Sequence, residues 1–193
     1  MCAVLTKREA AHRQLTTAIR MYFADGDLVA IHTLACAARE IYEKHCEKES
    51  IDRMFNHIRA THTETDKELW AILNGARNFF KHPGDSLDDA IELRDSDNKA
   101  VLFIACHDCA MLCGSEQPIE VQVFNIWFLA TEFPSDIQSD EREKEKAAEI
   151  LGLLNSEFPG LKTALPAEQK QIGLHFLTEA DAGRLPSLPR NTN

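Results

Sequence analysis

An all-α fold, a bundle of about six to seven helices, is what this sequence predicts, and three observations predict it. Apolar residues recur at helical period through most of the chain. Turn-forming clusters, Ala24-Asp25-Gly26-Asp27, Pro83-Gly84 and Pro159-Gly160, separate the periodic segments. Period-two alternation is confined to one short piece, Ile119-Glu120-Val121-Gln122-Val123.

The first helix is predicted from about Thr6 to Phe23, with Ala10, Leu15, Ala18, Ile19 and Tyr22 as its apolar stripe. Gly26 breaks it and Asp27 caps the next, about Leu28 to Glu47, which buries Ile31, Leu34, Ala35, Ala38 and Tyr42. Two amphipathic helices joined by so tight a turn form an antiparallel hairpin. A third element covers about Ile51 to Ala60, and Thr65 or Asp66 caps a fourth that ends at His82. In the fourth, Leu69, Ile72, Leu73, Ala76, Phe79 and Phe80 fall within roughly 120° of one another, which predicts a core-facing stripe. Asp85 to Asn98 reads as a long polar connection with a short extended Ala90–Leu93 piece, and a further helix begins near Asp97 or Asn98 and ends before Gly114.

Ile119 to Phe133 is apolar nearly all round, which predicts a central buried helix, with a strand as the alternative for its first residues. Asp140 to Phe158 is a charged amphipathic helix and Ala167 to Ala182 the last one. The predicted organisation is a helical bundle over 1–134, C-terminal helices packed on it over 135–182, and a flexible tail over 183–193.

The chain of 193 residues carries a net charge of −10, unevenly spread. Residues 1–60 hold 9 basic and 8 acidic residues, net +1, so the remaining 133 carry net −11. Such a surface repels a phosphate backbone at long range, so a nucleic-acid activity needs a local basic patch fed by the N-terminal third. The N-terminus shows no long apolar core of a signal peptide, and the most apolar stretches are too short or too interrupted to cross a bilayer. A soluble, cytoplasmic protein with reduced thiols is the expectation, with no membrane partner.

One helix departs from the acidic background. Its predicted outward face carries Asn74, Arg77, Asn78, Lys81 and His82 without a carboxylate. Arginine grips phosphate through a planar fork of donors, histidine moves protons near neutral pH, and a side-chain amide orients either. Together these groups suit RNA cleavage without a metal. Arg77 and His82 are five residues apart, about 140° around the axis and about 7.5 Å along it, so a single regular helix cannot close both on one small group. A cleft between two copies of the helix removes that difficulty. The plain alternative for the same residues is a solvated polar face.

Arg77-Asn78-Phe79-Phe80-Lys81-His82 resembles the Arg-polar-x3-His hallmark of the HEPN superfamily of helical nucleic-acid-associated domains, in its form with four residues between Arg and His. The helical hairpin containing Ile31-His32-Thr33-Leu34-Ala35 is similar to a bacterial group of uncharacterised proteins with a comparable Asn-Phe-Phe-Lys-His segment, over roughly residues 6–130. The resemblance implies a homodimer, and a metal-independent endoribonuclease with Arg77 and His82 catalytic and Asn78 supportive. It also implies a possible protein partner of the antitoxin kind, since many HEPN ribonucleases belong to toxin–antitoxin or phage-defence systems. Lys81, Asn74 and His32 complete the candidate binding set, and no cofactor is expected.

His32 interrupts an apolar turn of the second helix, which predicts either a hydrogen-bonded structural histidine or a group that orients Asn78 and His82. Cys106, Cys109 and Cys113 share a face with Leu102, as a core stripe does. A metal bundle built from histidines and cysteines is a minor alternative, and no metal ligand is assigned. A non-catalytic dimeric module that binds a protein or small ligand is the principal alternative.

Overall fold

The computed structural model describes residues 4–82, 84, 88–132 and 141–184. Among them the chain is all-α, with eight α-helices, two single 3₁₀ turns and no strand. The helices are α1 Lys7–Phe23, α2 Leu28–Glu49, α3 Met54–Thr61, α4 Asp66–Lys81, α5 Asp95–Cys113, α6 Ile119–Glu132, α7 Glu141–Glu157 and α8 Pro166–Asp181. No described helix is long and apolar enough to cross a membrane.

Local chemistry accounts for the helix ends. Thr6 and Glu9 form a reciprocal capping box at α1, the Thr6 N–H donating to Glu9 Oε2 at 2.7 Å and the Glu9 N–H to Thr6 Oγ1 at 3.1 Å. In the following turn the Gly26 N–H reaches back to the Met21 carbonyl at 2.8 Å. A Cβ on Gly26 would sit 3.1 Å from that same oxygen, so the turn closes tightest around the residue with no side chain. Asp27 then caps α2 by accepting from the Ala30 N–H at 2.8 Å.

Two predicted starts shift for the same kind of reason. The third helix begins at Met54 rather than Ile51, because the Ile51 N–H completes α2 by donating to the Cys46 carbonyl at 2.9 Å. The fifth begins at Asp95 rather than Asp97, because the Asp97 carboxylate lies in the first turn and accepts from the Arg94 N–H at 2.8 Å. Residues 119–123 are helical, so the alternation there does not mark a strand. Burial of Val121, Val123, Phe124 and Trp127 on several sides of α6 explains the pattern. Residues 90–93 are irregular. Most of the predicted tail lies outside the described residues.

Antiparallel α1 and α2 pack closely, and α5 lies along α2 as its principal partner. The core between them and α6 centres on Tyr22, Phe23, Phe124 and Trp127, whose rings meet at centroid separations of 5.2–6.0 Å in tilted and edge-on geometries. Cys36, Cys46, Cys106 and Cys109 are buried free thiols within the bundle. Burial pushes the Cys109 thiol up to about 12 and the Cys36 thiol up to about 11, so both are held in the neutral form that a core needs.

The C-terminal α8 is fastened to the α1–α2–α6 assembly at three levels. Gly173 lies over Phe23, the Trp127 indole N–H donates to the Gln169 carbonyl at 2.7 Å, and Lys170 is buried between two acids. Its ammonium donates to Asp25 at 2.8 Å and Asp95 at 2.5 Å and lies 4.5 Å from the Tyr22 ring centroid. The paired carboxylates outweigh desolvation and keep Lys170 charged, its pKa raised above the ordinary lysine value.

Candidate functional site

α4 is the most weakly embedded of the long N-terminal helices. Thr65 and Glu68 cap it reciprocally, the Thr65 N–H donating to Glu68 at 2.8 Å. Of the stripe predicted to face the core, only Leu69 is buried. Ile72 is 69% exposed and Phe79 39% exposed. The correction has a physical cause: α4 rests on α2 along one narrow seam, and a cavity separates Ile72, Leu73 and Ala76 from Ile91 and from Ala100 and Val101 of α5.

That seam is polar. Asn74 accepts a hydrogen bond from the buried Arg39 at 2.5 Å and donates to the Trp70 carbonyl at 2.8 Å. Three residues on, the Arg77 guanidinium pairs with Glu40 at 2.6 Å and donates to Asn78 Oδ1 at 2.9 Å. The carboxylate-free face from Asn74 to His82 is thus a property of that stretch alone, because α2 brings Glu40 to Arg77. Arg77 keeps 23% of its side chain exposed, so the guanidinium is oriented without being sealed in.

The end of α4 follows from the sequence. A residue before proline is driven out of the helical region, and His82 precedes Pro83. Its backbone is extended, φ −120° and ψ 127°, while its N–H still donates to the Asn78 carbonyl at 2.9 Å. His82 and Lys81 are exposed there, and neither side chain has a hydrogen bond or ion pair among the described residues. The structure therefore joins Arg77 to Asn78, commits Asn74 to Arg39, and leaves Lys81 and His82 open to solvent.

His32 lies elsewhere. It is buried on α2, its Nδ1 3.0 Å from Asn98 Oδ1, and the Asn98 amide donates to the Leu28 carbonyl at 3.0 Å. With that amide nitrogen spent as a donor, Asn98 Oδ1 is the acceptor, so the His32 proton sits on Nδ1 and Nε2 is a bare acceptor. Nε2 is buried with no hydrogen-bond partner among the described residues. The ring meets Phe80 edge-on at 5.9 Å, and its partners are on α5 rather than Asn78 or His82.

Burial holds the His32 pKa below the ordinary imidazole value, and burial does the same at His12. Each neutral ring contributes stability that is fully present above about pH 6.5 and lost as pH falls through the folded pKa. The unfolding midpoint is expected to drop between pH 7.5 and 5, and to drop less in His32→Gln; denaturant titration of both proteins at both pH values checks this. An unchanged pH dependence in the variant would remove His32 as a source.

Among the described residues no three of His, Cys, Asp and Glu converge as a metal-ion site. Cys106 and Cys109 face the core, and Cys113 approaches His12 Nε2 at 3.9 Å. Residues that the periodicity did not single out also matter here. Arg39 is 1% exposed, Trp70 lines a cavity beside Asn74, and Glu40 holds Arg77. The chain matches no protein-family model, no curated protein and no solved structure.

Proposed function

We propose that this chain is a HEPN-like, dimeric helical protein that cleaves RNA without a metal, through Arg77 and His82. The observation that carries the reading is the exposed end of α4, where an imidazole with no partner among the described residues follows a guanidinium already oriented by Glu40 and Asn78. In the proposed reaction the RNA 2′-hydroxyl loses its proton to one imidazole and its oxygen bonds the adjacent phosphorus. The bond from phosphorus to the 5′-oxygen breaks, and that oxygen takes a proton from a second, protonated imidazole. The products are a 2′,3′-cyclic phosphate and a 5′-hydroxyl end. Arg77 stabilises the charge that builds on the non-bridging oxygens, using guanidinium donors beyond the two bonded to Glu40 and Asn78.

Two imidazoles require two copies of α4. Ile72 and Phe79, seven residues apart, lie on one side of the helix with Gly75 between them. Nothing lies within 4 Å of a Cβ built on Gly75, so that side is open to a second helix. His82 is about 60° around the axis from Phe79, near that open side, whereas Arg77 is about 160° from it, on the side that meets Glu40 of α2. Incubation with single-stranded RNA in chelator, followed by analysis of the new ends, tests the reading. Cyclic phosphate ends made by a protein that runs as a dimer support it; a folded protein that leaves a broad RNA panel intact removes the enzyme claim.

The Arg77–Glu40 pair favours a second reading, a non-catalytic dimeric module that binds a protein or small ligand. A guanidinium held by a carboxylate offers less free charge to a phosphate. RNA binding without cleavage, or a stoichiometric partner whose binding survives His82→Ala, would favour that reading.

A further inference from the structure

A cavity of about 580 Å³ opens between the first turn of α1, the Glu40–Lys48 stretch of α2, and Trp70 and Asn74 of α4. That volume is in the range of sites for one small organic ligand. Its charges do not cancel. Both carboxylates in its wall are engaged from outside the cavity: Glu40 pairs with Arg77 at 2.6 Å and Glu43 with Arg53 at 2.9 Å. Lys7 and Lys48 in the wall have no ion-pair partner among the described residues.

Behind Asn74 lies Arg39, 1% exposed, with a buried Nε that has no hydrogen-bond partner and no carboxylate within ion-pair distance among the described residues. The buried Glu43 carboxylate acts on Arg39 through space and is itself bonded to Arg53, so two cations share one carboxylate, and an anion in the adjoining cavity adds to the compensation. A chain of net charge −10 therefore holds one local excess of cations around a hollow.

The rest of the wall narrows the chemistry. Trp70 and Ile41 supply a flat apolar surface. Phe55 stacks on Trp70 at 4.6 Å and fixes the plane of the indole. Glu40 and Glu43 retain acceptor capacity beyond their arginine bonds, since an ionised carboxylate accepts about four hydrogen bonds. The matching ligand has an anionic group at one end, a flat body, and N–H donors at the other end. We infer that this cavity is a nucleotide site, taking a phosphate at Lys7 and Lys48 and an amino-bearing base beside Trp70, Glu40 and Glu43. The nucleotide is either a free mononucleotide or one residue of an RNA strand. The inference goes beyond the cleavage reading, although Glu40 borders both places.

Tryptophan fluorescence of the intact protein tests it, because Trp127 is 1% exposed and Trp70 is the indole at the cavity. Titration with AMP is expected to give saturable quenching, weakened about tenfold when both Lys7→Ala and Lys48→Ala are present. UMP, whose base has no exocyclic amine, is expected to bind more weakly than AMP. No quenching up to millimolar AMP, an unchanged response in the double variant, or equal binding of UMP and AMP would overturn the proposal. Competition by a short oligoadenylate at lower concentration than AMP assigns the site to RNA; competition by AMP alone assigns it to the free nucleotide. Since AMP contains no bond for a ribonuclease to cut, a negative result here leaves cleavage at Arg77 and His82 standing, and inactive RNA assays leave this site standing.

Discussion

His82→Ala is expected to lower RNA cleavage by about a hundredfold or more while leaving the fold intact. In the proposed reaction the size follows from removing a proton-transfer group at a reacting oxygen. The intact fold follows from its position: the imidazole is exposed, forms no side-chain bond among the described residues, and its backbone N–H, which closes α4 on Asn78, survives the substitution. Arg77→Ala is expected to cause a comparable loss, and Arg77→Lys to recover little of it, because a single ammonium cannot reproduce the two-pronged contact with Glu40 and Asn78. The double variant should be hardly worse than either single one if the residues act as a unit.

Mixing wild-type chains with His82→Ala chains gives a sharper readout. Because the reaction takes one imidazole from each copy, a mixed dimer keeps only one of the two and is expected to cleave no faster than the His82→Ala homodimer. Cleavage assays before and after subunit exchange measure this. Mixed dimers that cleave at about half the wild-type rate would show that each copy works alone.

Gly173→Ala is expected to be the most damaging single-methyl change in the described structure, at about 3 kcal/mol. A Cβ at position 173 would lie 2.3 Å from Phe23 Cε1 and 2.6 Å from Cδ1, far inside van der Waals contact. Phe23 cannot swing aside, because it is buried against Tyr22, Phe124 and Trp127. The strain must lift α8 from the bundle, disturbing the Trp127–Gln169 bond and the Lys170 clamp. Alanine is the better helix former, so an isolated helix would gain from this change, which makes the sign diagnostic. Thermal unfolding should show a midpoint lower by roughly 6–12 °C, and trimming the ring in a Phe23→Leu background should shrink the difference between glycine and alanine. An equal or higher midpoint for Gly173→Ala would show that α8 does not approach Phe23 so closely.

Some of the site was legible in the chain and some was not, for reasons visible in particular residues. The end of α4 could be read because its causes are adjacent: Pro83 excludes helix at His82, and Thr65 with Glu68 closes the other end within one turn. The burial of α4 was misread, since periodicity shows which residues share a side but not whether another element arrives to cover them. Ile72 and Phe79 have the spacing of core residues and stand exposed. Arg39 offered no signal, because the Asn74 and Trp70 that surround it lie 35 and 31 positions later. Lys170 likewise takes its two acids from 145 and 75 residues away. Gly173 offered no signal either, since Gly75 and Gly152 also lie inside helices and a Cβ on either would meet open space.

By itself the sequence determined the helical class, the order of the helices and most of their ends, because capping, proline and periodicity act within a turn or two of the chain. Only the tertiary structure decided which charges meet: Glu40 with Arg77, Arg39 with Asn74, Lys170 with Asp25 and Asp95. Those pairings depend on how helices distant in the chain lie against one another, and the strength of a charged contact depends on burial and distance that no local pattern encodes.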